Sequence, residues 1–216
     1  MTDALLDNDV IIKACRYSLA AETLLSLQNR GYEPAMLAAA RFVVEDRLRR
    51  YAPAGSTALA MLQQFLSGCR SIEPTDGEIE IATSFEETAQ KLNLELDAGE
   101  SMLLAILLKR RAALFLTGDK RAIRAIEAML PEVEQVVACV EQLFATLNAD
   151  WSLEAVQAGV CADQVADAAL TNAYGCRSGG LGVDAVTDGL RSYIEHLRRD
   201  CARILVALLE LPRRVP

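Results

Sequence analysis

The chain has 216 residues, 52% of them apolar and 24% charged, with 22 basic against 30 acidic side chains and a formal net charge of −8. That length and apolar share suit one large domain, or one domain with an appendage, and exclude a disordered chain. The acidic balance argues against a broad basic surface that coats nucleic acid, while leaving room for a local basic patch.

Met1-Thr2-Asp3-Ala4 lacks the basic and apolar regions of a secretory signal. The longest apolar stretches, such as Met102 to Leu108, end in charge well short of the ~18 residues that span a bilayer. A soluble, cytoplasmic protein with no membrane association is therefore expected. Six scattered cysteines (Cys15, Cys69, Cys139, Cys161, Cys176, Cys201) form no CxxC pair, and His196 is the single histidine. A Cys/His zinc site has poor odds, and buried reduced thiols are the expectation.

In chain order, Ala4–Asp7 is a short apolar run ending in acid. Asn8 or Asp9 can cap a helix over Val10–Leu19, and a second helix, Glu22–Asn29, stops at Gly31. Pro34 at a first-turn position predicts a helix to Arg50, broken by Ala52-Pro53-Ala54-Gly55-Ser56; Thr57–Ser67 reads as another helix. Ser71–Pro74 looks like a strand end. Thr75-Asp76-Gly77-Glu78 and Asp97-Ala98-Gly99-Glu100 are capping boxes that open helices to about Leu92 and to Lys109-Arg110-Arg111. Ala112–Thr117 is an apolar strand, Asp119–Met129 a helix stopped by Pro131, and Gln135–Val140 a β-branched strand followed by a helix to about Leu147. Strands alternating with helices predict an α/β fold: a parallel sheet with helices on both faces. Beyond Asn148 the strand signals stop. Residues 152–173 and 184–210 read as helices joined by the glycine-rich connector 175–182, so the expected division is 1–148 plus a helical C-terminal extension, 149–216.

Metal-dependent phosphodiester cleavage needs carboxylates converging on hard cations, beyond the carboxyl ends of the strands in an open α/β sheet. Asp7 ends the first strand, Asp119 follows Ala112–Thr117 by one glycine, and Glu100 opens the helix feeding that strand. Glu45 lies among Leu37, Arg41, Val44 and Leu48, with Asp46 an alternative about 100° around the helix. Each acid also has a plainer role. Asp7 or Asp9 can cap the first helix, Glu100 can complete the box begun by Asp97, Asp119 can cap the next helix, and Glu45 can pair with Arg41 or Arg49.

Leu5-Leu6-Asp7-Asn8-Asp9-Val10-Ile11-Ile12 resembles the opening strand of PIN-domain nucleases. Leu96-Asp97-Ala98-Gly99-Glu100 and Leu116-Thr117-Gly118-Asp119-Lys120-Arg121 resemble the later acidic motifs, in the variant where Gly-Glu opens the helix; Val136–Leu143 is similar to the closing strand and helix. The resemblance covers about residues 3–148 and includes ribonuclease toxins of toxin–antitoxin modules. It implies a Mg²⁺- or Mn²⁺-dependent ribonuclease with metal-binding acids at Asp7, Glu45, Glu100 and Asp119. An RNA substrate, a small antitoxin partner and a homo-oligomer are implied as well. Lys120 and Arg121 are candidates for a substrate phosphate, and Thr117 for orienting a water or a ligand carboxylate. The competing expectation is a catalytically degenerate PIN-shaped binding module. Four gathered carboxylates should repel, so neutralising one, for instance Asp119, is expected to stabilise the protein without metal.

Overall fold

The computed structural model describes residues 2–214. Five parallel strands, β1 (Thr2–Leu6), β2 (Tyr32–Leu37), β3 (Arg70–Ile72), β4 (Leu114–Thr117) and β5 (Val137–Cys139), stand in the order β3-β2-β1-β4-β5. The chain first works outward on one side of β1 and then resumes on the other. The order therefore reverses between β1 and β4, which opens a crevice beyond their carboxyl ends.

The alternation of side chains along each strand feeds two cores. Ala4, Leu6, Tyr32, Met36, Leu114, Leu116 and Ala138 face one layer. It holds α1 (Asn8–Arg16), α2 (Ala20–Asn29), α3 (Ala40–Tyr51), α4 (Ala58–Gly68) and α8 (Val140–Asp150). Leu5, Ala35, Phe115, Val137 and Cys139 face the other, which includes α6 (Ala98–Arg110) and α7 (Lys120–Met129), with α5 (Asp76–Lys91) packed against α6. Both faces of the sheet are thus covered, as near-continuously apolar parallel strands require.

Both capping boxes form: Glu78 closes on the Thr75 N–H (2.8 Å) and Glu100 on the Asp97 N–H (3.0 Å). The helix expected from Pro34 does not. Tyr32–Leu37 is instead a strand paired on both sides, and the helix begins at Ala40. Proline is rare in a central strand because it donates nothing to the ladder. Here the period-two pattern, with Tyr32 and Met36 to one core and Ala35 to the other, outweighs the first-turn preference of Pro34.

The C-terminal portion supplies α9 (Leu153–Ala162), α10 (Ala168–Ala173) and α11 (Val183–Arg198). Val156, Val160, Leu170, Val186 and Leu190 join the core under α1, α2 and α8, while Ile194 and Leu197 reach the opposite one. Helix stops at Arg198, short of the expected 210. Residues 203–206 instead run beside β5, where Val136 and Val137 donate to Ile204 O (both 3.1 Å) and Val206 donates to Val137 O (2.8 Å). An open sheet edge is a strong template for pairing, and covering it buries Ile204 and Leu205 completely. The expectation of reduced thiols also needs correction: Cys161 at the end of α9 is disulfide-bonded to Cys176, while Cys15, Cys69, Cys139 and Cys201 are free and buried. No helix among the described residues is long and apolar enough to cross a membrane.

Candidate functional site

Three helices begin at the crevice, and each is capped by one of the sequence-selected acids or by its box partner. Asp7 caps α1, its Oδ1 accepting the Asn8 N–H at 2.7 Å. Asp97 caps α6, with Glu100 returning the bond. Asp119 caps α7, its Oδ1 accepting the N–H groups of Arg121 (2.8 Å) and Ala122 (3.4 Å). The plainer capping roles are therefore real, and they do not compete with convergence. Side chains at helix N-termini meet wherever those termini meet, and the three helix dipoles favour negative charge there. Asp7, Glu100 and Asp119 all line one cleft of about 480 Å³.

Thr117, fully buried at the end of β4, ties two of the acids together. Its hydroxyl donates to Asp7 Oδ2 (3.1 Å) and accepts from the Asp119 N–H (3.1 Å). It orients a carboxylate of the site. Burial pushes the Asp7 carboxyl up to about 6, with the Asp9 charge adding to the effect. Burial pushes Glu100 further, to about 8, aided by Asp97, Asp7 and Asp119. Asp119 is partly desolvated as well, but the Arg121 guanidinium at 2.9 Å holds its carboxyl below the usual range.

Glu45 does not join them. It sits at the surface of α3, paired with Arg49 at 2.5 Å, and Asp46 pairs with Arg50 at 3.0 Å. The carboxylate that the resemblance places on this helix is replaced in the cleft by a base, Arg47. Lys120 also lines the cleft, but its ammonium is bound to the buried Glu141 carboxylate (2.5 Å) and lies over the Tyr193 ring. Arg121 is exposed and spans Asp119 and Glu95.

Two further acids, Asp9 and Asp167, stand in the cleft. Lys13, almost buried, holds Asp9 at 2.5 Å and Asp167 at 2.7 Å, both on the cleft wall. Burial disfavours its charge, but the two carboxylates outweigh that and hold the ammonium firmly protonated. The Asp9/Lys13 spacing of four on α1 was a readable signal. Asp167, the cap of α10, was not, because it arrives from the far side of the chain. Gly118 makes the arrangement possible: a Cβ there would lie 1.8 Å from Asp9 Oδ2 and 2.8 Å from Lys13 Nζ.

The donor set suits a hard cation. It is all oxygen, and two of its acids are raised by burial, so a positive charge in the cleft would relieve a cost the fold already bears. Six carboxylates (Asp7, Asp9, Asp97, Glu100, Asp119, Asp167) face four bases (Lys13, Arg47, Lys120, Arg121), a formal balance of −2. Among the described residues no three Asp, Glu, His or Cys side chains stand close enough together to coordinate a single ion. Mg²⁺ commonly takes only one or two carboxylates and keeps its waters. No protein-family model matches the chain, and comparison with curated proteins and with solved structures likewise finds no match.

Proposed function

We propose that the chain is a Mg²⁺- or Mn²⁺-dependent ribonuclease of PIN-like type, with Asp7 and Glu100 as the residues that would hold the ion and Asp119 beside them. The observation that supports this reading is that Asp7, Glu100 and Asp119 line one cleft at the β1/β4 crevice, two of them with proton affinities raised by burial. When bound, the ion supplies charge neutralisation at the scissile phosphate and an acidified water. The chain's own groups do the rest. Glu100 is fixed at the start of α6 by its capping box with Asp97, whose N–H it accepts at 3.0 Å. Thr117 and the Asn8 N–H fix the Asp7 carboxylate. Arg47, without a carboxylate partner among the described residues, is free to meet a phosphate oxygen.

A toxin role with a small inhibitory protein partner, and a cytoplasmic setting, belong to the same proposal. The test is cleavage of RNA by the purified protein in Mn²⁺ against EDTA, with Asp7→Asn alongside. Activity that needs Mn²⁺ and disappears in the variant is expected; cleavage that survives both EDTA and Asp7→Asn refutes the assignment. The rival, a binding module, is favoured by the engagement of Asp119 with Arg121 and of Asp9 with Lys13. It predicts no Mn²⁺-induced rise in melting temperature and no cleavage.

A further inference from the structure

Beside the acidic cleft lies a larger cavity, of about 720 Å³, off the carboxyl ends of β2 and β3. Its wall is mainly apolar, with Leu37, Phe42, Pro74 and Met102, and carries one base, Arg41, and one acid, Glu73. Two elements separate it from the cleft while facing both. On α6, Gly99 and Met102 look into the groove and Asp97 and Glu100 into the cleft. On α3, Arg41 and Phe42 line the groove and Arg47 the cleft.

The charges on α3 are distributed unequally. Arg49 and Arg50 are neutralised by Glu45 and Asp46, whereas Arg41 and Arg47 have no carboxylate within 4 Å among the described residues. Arg41 and Arg47 stand six residues apart on α3, a rise of about 9 Å along its axis, and line the groove and the cleft respectively. Phe42 is 60% exposed, and the Arg41 guanidinium lies 4.3 Å from its ring centroid. An exposed aromatic face, a flanking guanidinium plane and unpaired cations leading to a carboxylate cleft together match an unstacked nucleobase with its backbone phosphates.

We propose that this groove is a nucleobase subsite: an unpaired base next to the scissile phosphate stacks on Phe42, with Arg41 and Arg47 on the flanking phosphates. The proposal rests on the ribonuclease reading for its substrate and assigns the groove as the specificity-determining part of that site. The occupant is an RNA base rather than a protein segment because the exposed Phe42 ring is flanked by a guanidinium, and the second unpaired cation of α3, Arg47, lies in the adjoining cleft.

The test uses the full chain with two probes, adenosine monophosphate and ribose 5-phosphate, read by NMR at the Phe42 ring and the Met102 methyl. Adenosine monophosphate should shift both signals and ribose 5-phosphate should not. Phe42→Ala, at an exposed position, should abolish the Met102 shift, while Tyr51→Ala, an exposed aromatic at the far end of α3, should leave it intact. In Mn²⁺-dependent cleavage of a single-stranded oligoribonucleotide, Phe42→Ala should raise KM about tenfold with kcat little changed. No shift with adenosine monophosphate, or equal shifts with both probes, overturns the proposal. It also falls if sedimentation finds a dimer that Phe42→Ala disperses and the nucleotide does not displace, since a second copy then fills the groove. If RNA is not cleaved but the nucleotide still seats on Phe42, the ribonuclease reading fails and the base subsite stands.

Discussion

Glu100→Gln gives the sharpest physical test of the acidic cleft. The amide keeps the shape and retains an oxygen to accept the Asp97 N–H, so the capping box at the start of α6 survives. What it removes is an ionisation that the fold resists. In the native state the carboxyl is raised from 4.5 to about 8, chiefly by burial. Between those values the native protein binds more protons than the unfolded chain, so stability falls as pH rises from about 4.5 and levels off above about 8. At about 1.4 kcal/mol per pH unit, the cost reaches roughly 3 kcal/mol at pH 7 and about 5 kcal/mol above pH 8. The variant escapes it.

Urea unfolding of both proteins in EDTA, from pH 5 to pH 9, should therefore show little difference at pH 5 and a growing advantage for Glu100→Gln toward pH 8. Adding Mn²⁺ should restore much of the loss in the wild type, by about 2.7 kcal/mol at a hundred times its dissociation constant, and less in the variant. A pH-independent difference would refute the burial argument. Equal stabilisation of both proteins by Mn²⁺ would remove Glu100 from the cation site.

Asp119→Asn should behave oppositely to the expectation from repulsion alone: asparagine keeps the α7 cap but loses the charge pair with Arg121, so its melting temperature in EDTA should fall slightly rather than rise. Replacing Cys161 and Cys176 together by serine, or reducing them with a dithiol, opens a loop of 15-residue separation and should cost up to about 3 kcal/mol in chemical denaturation. Gly118→Ala should destabilise the protein and separate Asp9 from Lys13, which a crystal structure of the variant would show directly. Glu78, held near 2 by the Arg110 guanidinium, contributes up to about 3 kcal/mol above pH 4.5 that is lost as pH falls toward 2. Arg110→Met should flatten that limb of an acid titration.

The elements legible in the sequence are those fixed by chemistry within a few residues. Thr75–Glu78 and Asp97–Glu100 close their boxes because cap and partner lie three residues apart, and the β4 apolar run needs no distant knowledge. The misreadings fall where tertiary pairing decides. Pro34 lies in a strand because β1 and β3 are available on either side of it. Residues 203–206 leave the helical pattern because β5 offers an open edge. The site divides along the same line. Asp7, Thr117 and Asp119 could be found because each directly follows or ends a strand. Arg47 and Asp167 could not, since nothing local distinguishes them from neighbouring surface charges. Glu45 misled for the converse reason: its i,i+4 partner Arg49 satisfies it entirely on the surface of α3.

The C-terminal portion bears directly on the cleft, and the connection runs through charge. The disulfide-closed stretch from Cys161 to Cys176 carries Asp163 and Asp167, and both clamp α1: Asp163 on Arg16 at 2.6 Å, Asp167 on Lys13 at 2.7 Å. Lys13 in turn fixes Asp9 against the Gly118 backbone, one residue from the Asp119 cap. An Asp9 left unpaired would add its full charge beside Asp7 and raise that carboxyl further, since Asp9 already contributes to the upward shift. Lys13 therefore neutralises part of the cleft's charge from within, while Asp7 and Glu100 keep carboxyls whose ionisation burial resists. A cation entering the cleft meets its largest electrostatic return at those two acids, because they are the ones the fold has buried without a basic partner.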